Sequence, residues 1–196
     1  TNHYVGAHLW LGSALYDAGP ETALPANVGA IVGKAVNEAC DELDGLKDGI
    51  LNDPRRCNFN PEKLQCKEGQ DSNTCVTAPQ MVVIKRYYEG PEKGTYPGYY
   101  PKFDPGAEAE NWPNLLSSTE PYGGIHGRQG FPFFKYFVFD DANWDFHTWK
   151  WTKASADFVD NKQVLPGQSL AAVLNAGPDI EKFKARGGKM IHYHGY

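Results

Sequence analysis

The sequence predicts an α/β protein, and three observations carry that reading. The run DIEKFKAR (179–186), the Gly187-Gly188 break and the apolar KMIHYHG after it form one helix–turn–strand step of an α/β sheet. The upstream segment 26–40 repeats apolar side chains at spacings of three and four, the period of a helix with one buried face, and a second helix is bracketed at 77–89 by cap and stop residues. Four cysteines, all between positions 40 and 75, mark a cross-linked central segment.

The elements follow in chain order. Residues 26–40, ANVGAIVGKAVNEAC, place Val28, Ile31, Val32, Ala35, Val36 and Ala39 on one helical stripe. Residues 77–89 form a second helix, with Thr77 as N-cap, Pro79 in the first turn and Gly90-Pro91 as the stop. Residues 91–130 are rich in Gly, Pro and Tyr and read as a long loop with short strands; loops of that length are usually functional. The aromatic run 131–151 begins as strand or helix. Its rings are core, or the wall of an aromatic-ligand pocket. Residues 155–160 read as a polar turn, 179–186 as a brief helix and the chain end as a strand.

Hydrophobic content of 41% against 22% charged residues places the chain among globular proteins. A net charge of −5 without a basic stripe argues against a nucleic-acid partner. No apolar run approaches the ~20 residues of a membrane span, so no membrane partner is expected. The chain opens TNHYVG without an initiator Met and ends on an apolar run with no closing turn, so both ends read as cut from a longer protein. The cysteines Cys40, Cys57, Cys66 and Cys75 read as two disulfides, hence as a secreted or periplasmic protein. Four cysteines allow three pairings; nearest-neighbour pairing needs the least chain rearrangement, but sequence alone does not choose. A zinc site is the rival, against which stand the lack of a CxxC and of a nearby histidine.

The segment CDELDGLKDGILNDPRRC (40–57) poses a charge problem. Asp41, Asp44 and Asp48 crowd into one turn, where like charges repel unless something neutralises them. Gly45 and Gly49 allow sharp turns that aim main-chain carbonyls inward. Carboxylates and carbonyls together make an oxygen cage suited to a hard cation such as Ca²⁺. The spacing is not that of an EF-hand, and a solvated acidic loop is the alternative. The preceding helix delivers these acids at its C-terminal end, where its dipole disfavours them, so a bound cation gains support.

Catalytic motifs are scarce. No G-x-S-x-G elbow is present; Ser169, in GQSLA, reads as a helix cap. His192 and His194 alternate on the last predicted strand and share a face. They lack a third zinc ligand and read as packed strand residues.

Several stretches together resemble the tannase/feruloyl esterase family of secreted α/β-hydrolases. They are Cys40-Asp41-x-x-Asp44-Gly45-x-x-Asp48-Gly49, Asp53-Pro54-x-x-Cys57-x-Phe59, and Cys66 with Cys75. Pro105-Gly106-x-Glu108 with Trp112, Trp144-x-Phe146, and Phe183-Lys184-Ala185-Arg186-Gly187-Gly188-Lys189 leading into His192-Tyr193-His194-Gly195 agree with it. The resemblance implies a fragment of an α/β-hydrolase. Residues 1–178 would be a mixed α+β lid domain, with its Ca²⁺ loop at 40–50 and disulfide segment at 40–75. Residues 179–196 would be the helix and strand that return to the hydrolase core. It implies one structural Ca²⁺ held by the carboxylates of Asp41, Asp44 and Asp48 and the main-chain carbonyls of Leu46 and Ile50. It implies the disulfides Cys40–Cys57 and Cys66–Cys75.

The family's activity is hydrolysis of aromatic carboxylic esters such as gallates or ferulates by a Ser-His-Asp triad. None of its catalytic residues falls in this chain, so the fragment alone is expected to be inactive, with a second chain or further segments completing the core. The lid's aromatic residues would help form the pocket for the acyl group, drawn from Tyr99, Tyr100, Phe131, Phe133, Phe134, Trp144 and Trp149. The alternative from another class is a calcium-stabilised binding module without catalysis.

Overall fold

The computed structural model describes residues 2–17, 19, 22–91, 96, 102–117, 123–174 and 180–193. Its elements are α1 (Asn2–Tyr16), α2 (Ala26–Cys40), α3 (Ala78–Glu89), α4 (Glu108–Leu115), α5 (Gly124–Pro132), α6 (Lys153–Asn161), the strands β1 (Gln163–Leu165) and β2 (Gln168–Ser169), α7 (Leu170–Leu174) and α8 (Glu181–Ala185). Short 3₁₀ turns at Asp41–Asp44, Pro54–Arg56, Pro61–Leu64 and Phe146–Thr148 fill the connections. The π-wound segment Phe133–Phe139 extends α5 directly.

Two apolar cores flank α1. One gathers Trp10, Leu11 and Leu15 with Val28, Val32 and Val36 of α2, Ile84 and Tyr87 of α3, and Trp112. The other gathers Leu9 with Phe131, Phe134, Val138, Trp144, Phe146, Trp149, Val159 and Leu170. A helix that is apolar on all sides belongs inside, and α1 sits between the two clusters for that reason. Each fully buried aliphatic side chain here contributes roughly 1.5–3 kcal/mol.

Close helix approach depends on absent side chains. A Cβ on Gly130 of α5 would lie 2.6 Å from the Leu9 backbone nitrogen of α1. A Cβ on Gly29 of α2 would lie 2.7 Å from the Glu108 carbonyl oxygen at the start of α4. Helix α4 is pinned where it begins. The Tyr88 hydroxyl donates to Glu108 Oε1 at 2.5 Å and the Gly106 N–H donates to both Glu108 oxygens at 3.0 Å, so this buried carboxylate is satisfied.

The helices at 26–40 and after Thr77 form as read, although the buried face of the first is Val28, Gly29, Val32, Gly33, Val36 and Cys40 and leaves Ala39 exposed; the Thr77 N–H donates to Gln80 Oε1 at 3.0 Å in a capping-box contact. Ser169 Oγ accepts the Ala172 N–H at 3.2 Å and so caps α7. Three expectations need correction. The presumed loop 91–130 contains α4 and α5, whose internal Pro113 and Pro132 and several glycines disguise them as breakers. The presumed turn 155–160 lies inside α6, started by Thr152, whose Oγ1 accepts the Ser155 N–H. The αβ step at the C-terminal end is a helix without its strand: residues 188–193 are not in a sheet, and His194 and Gly195 lie outside the described residues. A strand needs a neighbour to satisfy its backbone, and among the described residues the named sheet is only the β1–β2 hairpin. The described part of the molecule is accordingly mainly helical, with a small antiparallel hairpin.

Candidate functional site

Two features concentrate chemistry: the acidic loop after α2 and an aromatic cleft beside α5.

At the loop, Cys40 ends α2 and is joined to Cys57, while Cys66 is joined to Cys75. The first bridge closes the acidic segment at its base. Inside it, Gly45 and Gly49 adopt left-handed φ of 94° and 81°, values that a side chain would strain. The carboxylates face the loop's own backbone. Asp41 Oδ1 accepts the Gly49 N–H at 2.9 Å, Asp44 Oδ1 the Leu46 N–H at 3.0 Å and Asp48 Oδ1 the Ile50 N–H at 3.1 Å. Asp44 Oδ2 also accepts the Asn52 N–H at 3.3 Å. The N–H bonds from Leu46, foremost, and Asn52 hold the Asp44 carboxyl below the usual carboxylate range, with a smaller contribution from Arg56.

Part of the negative charge is met by protein cations: Lys47 pairs with Glu42 at 2.9 Å and Arg55 with Asp53 at 2.7 Å. The donor set is all oxygen, which suits a hard dication. No three His, Cys, Asp or Glu side chains form a metal-holding group among the described residues. Leu46 and Ile50, expected to offer carbonyls, expose their side chains to solvent.

The second feature is a cleft of about 630 Å³ lined by Gly127, Arg128, Phe131, Pro132, Lys135, Tyr136, Asn143, Trp144, Asp145 and Phe146. One wall is a stripe of α5 and its π-wound extension. The other is the chain that returns through Asn143 and into the turn at Phe146. Pro132 has no N–H to donate, and the winding widens directly after it. The walls are locked by ring packing: the Phe131 and Phe146 centroids lie 4.8 Å apart, and Trp144 stacks on Phe139 at 4.8 Å. Asp145 caps the turn by accepting the His147 N–H at 3.0 Å. That bond, together with the His147 ring, lowers its carboxyl from the ordinary value.

Of the expected pocket residues, Phe131 and Trp144 line the cleft. Phe134 is buried in the core. Trp149 lines a shallower hollow with Phe139 and Phe158, and Phe133 packs against the core edge. Tyr99 and Tyr100 lie outside the described residues. Arg128, Lys135, Tyr136, Asn143, Asp145 and Phe146 were missed as cleft residues. The signal for the first three was the spacing 128, 131, 132, 135, 136, which becomes one face once the stretch is read as a continuous helix.

A third cluster is buried. His8 of α1 and His126 of α5 meet Nδ1 to Nδ1 at 2.6 Å. Burial, and then the neighbouring ring, pushes His126 down to about 3; burial also lowers His8. One Nδ1 must donate and the other accept, so both rings cannot be imidazolium while the bond persists. His192, expected beside His194 on a strand, is exposed; His194 lies outside the described residues.

The family model described as tannase and feruloyl esterase matches residues 2–196. An uncharacterized esterase of Xanthomonas campestris pv. campestris is 34% identical over 99% of this chain and 34% of its own length. Feruloyl esterase B of Aspergillus niger is 31% identical over 97% of this chain and 33% of its own. The crystal structure of feruloyl esterase B from Aspergillus oryzae superposes with a TM-score of 0.64 at 27% identity, over 95% of this chain and 35% of that one. The chain thus spans about a third of the length of the curated relatives it matches.

Proposed function

Because the chain belongs to the tannase and feruloyl esterase family, we propose that it is the lid portion of a secreted serine esterase that hydrolyses aromatic carboxylic esters. The observation that carries this reading is the cleft beside α5. Phe131, Trp144 and Phe146 present an apolar wall able to take a phenolic ring, and Asn143, Arg128, Lys135 and Asp145 place polar groups at its rim.

Residues 1–178 act as the lid and 179–196 as the segment that returns to the core. The exposure of Met190, Ile191 and Tyr193 supports a sheet neighbour from outside the described residues. The Ser-His-Asp triad lies outside this chain. The lid's part is to hold the acyl ring, exclude water from the ester carbonyl and orient it for attack. Secretion is supported by the two disulfides, which persist in oxidising compartments. No described helix is long and apolar enough to cross a membrane.

We infer that the acidic loop would take up a structural Ca²⁺, whose binding would have to draw together acids that do not yet converge as a three-carboxylate group. Asp41, Asp44 and Asp48 would hold it by carboxylate, and Leu46 and Ile50 by main-chain carbonyl. Such an ion supplies charge neutralisation and rigidity. The loop's own residues already turn their carboxylates toward its backbone and are clamped by Cys40–Cys57.

The full-length protein is expected to hydrolyse methyl ferulate or methyl gallate. Absence of turnover on every aryl ester would favour a calcium-stabilised binding module instead.

A further inference from the structure

We propose that Arg128 and Lys135 make the cleft a carboxylate-binding site, so that its ligand is an anionic aromatic compound. The inference rests on the cleft being the ligand wall of the lid, and adds the charge that the ligand carries. Arg128, Phe131 and Lys135 stand at three- and four-residue steps along one wall, which places an apolar ring between two cations.

Arg128 is anchored without being used up. Its Nε donates to the Gly124 carbonyl at 3.3 Å. Its terminal nitrogens make no hydrogen bond or ion pair among the described residues. A guanidinium held by its Nε edge keeps a planar fork for a carboxylate. Lys135 stands near the one acid of the lining, Asp145, and that carboxylate is already engaged by the His147 N–H and ring. The lining therefore carries two cations and one satisfied acid, within a chain of net charge −5. An apolar wall beside these cations lowers the local dielectric and strengthens their pull on an anion. A ring on the Phe131 side with a carboxylate toward Arg128 satisfies both, whereas a neutral ring leaves the guanidinium with water alone.

Two sources supply that chemistry: the acid released when an aromatic ester is cleaved, and an ester that keeps a free carboxylate elsewhere on its ring.

The test uses the full-length protein and compares binding of ferulate with that of its uncharged amide by calorimetry at low and high salt. Ferulate is expected to bind more tightly than the amide, and the preference should shrink as salt rises. Arg128→Gln should cut the ferulate-to-amide affinity ratio about tenfold, the size of one charge-assisted hydrogen bond, and Arg128→Lys should restore part of it. A ratio near one in the unaltered protein, or an equal loss for both ligands in Arg128→Gln, overturns the proposal.

Inhibition of methyl ferulate turnover by ferulate, relieved in Arg128→Gln, identifies the released acid as the occupant. A selective fall in kcat/KM for a ring ester bearing a second, free carboxylate identifies the substrate. Because binding is read separately from turnover, failure of the esterase reading leaves the charge preference measurable.

Discussion

The buried imidazole pair makes the sharpest prediction about stability. Lowering the pH from about 7.5 to about 5 should destabilise the fold through His126. Its ordinary value is 6.5 and burial beside His8 depresses it to about 3 in the folded chain. A depressed histidine favours the unfolded state on acidification: the unfolded chain takes up a proton below about 6.5, the folded one only near 3. The contribution is thus fully present above about pH 6.5 and is lost progressively as the pH falls toward 3. At about pH 5 the gap is about 1.5 pH units, and at roughly 1.4 kcal/mol per unit the loss is about 2 kcal/mol.

The pair joins α1 to α5, so the loss falls on the packing of these two helices. Urea unfolding of the unaltered protein and of His126→Gln, each across this pH range, checks it. Glutamine keeps a hydrogen-bonding group and does not titrate, so the variant should lose most of the slope. The lowered His8 supplies any remainder. Equal slopes in the two proteins would refute the reasoning.

Other outcomes follow from the same geometry. Asp44→Ala should lower the Tm of calcium-loaded protein more than that of chelator-treated protein. Both lose the bonds to Leu46 and Asn52, and only the loaded form loses a metal ligand; equal losses in calorimetric scans would mean that no metal acts there. Gly130→Ala should cost about 1–3 kcal/mol in urea unfolding, since its methyl would press on the Leu9 backbone rather than on a side chain that can turn away.

How much was legible in the sequence depends on the element. The stripe of Val28, Val32 and Val36 announced α2, because a helix with one buried face writes its period into the chain. Thr77, Pro79 and Gly90 bracketed α3 through local capping and turn chemistry, and the structure adds the Gln80 contact to Thr77. By contrast α1 carried no readable contrast, since Leu9 faces one core while Trp10, Leu11 and Leu15 face the other. Helices α4 and α5 hid behind Pro113, Pro132 and glycines that local rules read as breaks. Gly29 and Gly130 serve helix contacts instead, which only the partner helix reveals.

The candidate sites divide in the same way. The acidic, cysteine-fenced loop is a local matter: the nine residues 41–49 hold three aspartates and two turning glycines, so its composition and likeness to a family could be read directly. The cleft is not local. Phe131 and Trp144 could be suspected from aromatic content, but the grouping of Arg128, Lys135 and Asp145 around them exists only once the winding after Pro132 brings two walls together. The His8–His126 pair lies further beyond sequence, its members 118 positions apart. Periodicity and turn chemistry act over a few residues and are written in the chain. Burial, charge neighbours and cleft walls come from segments far apart in sequence, and packing alone decides which of them meet.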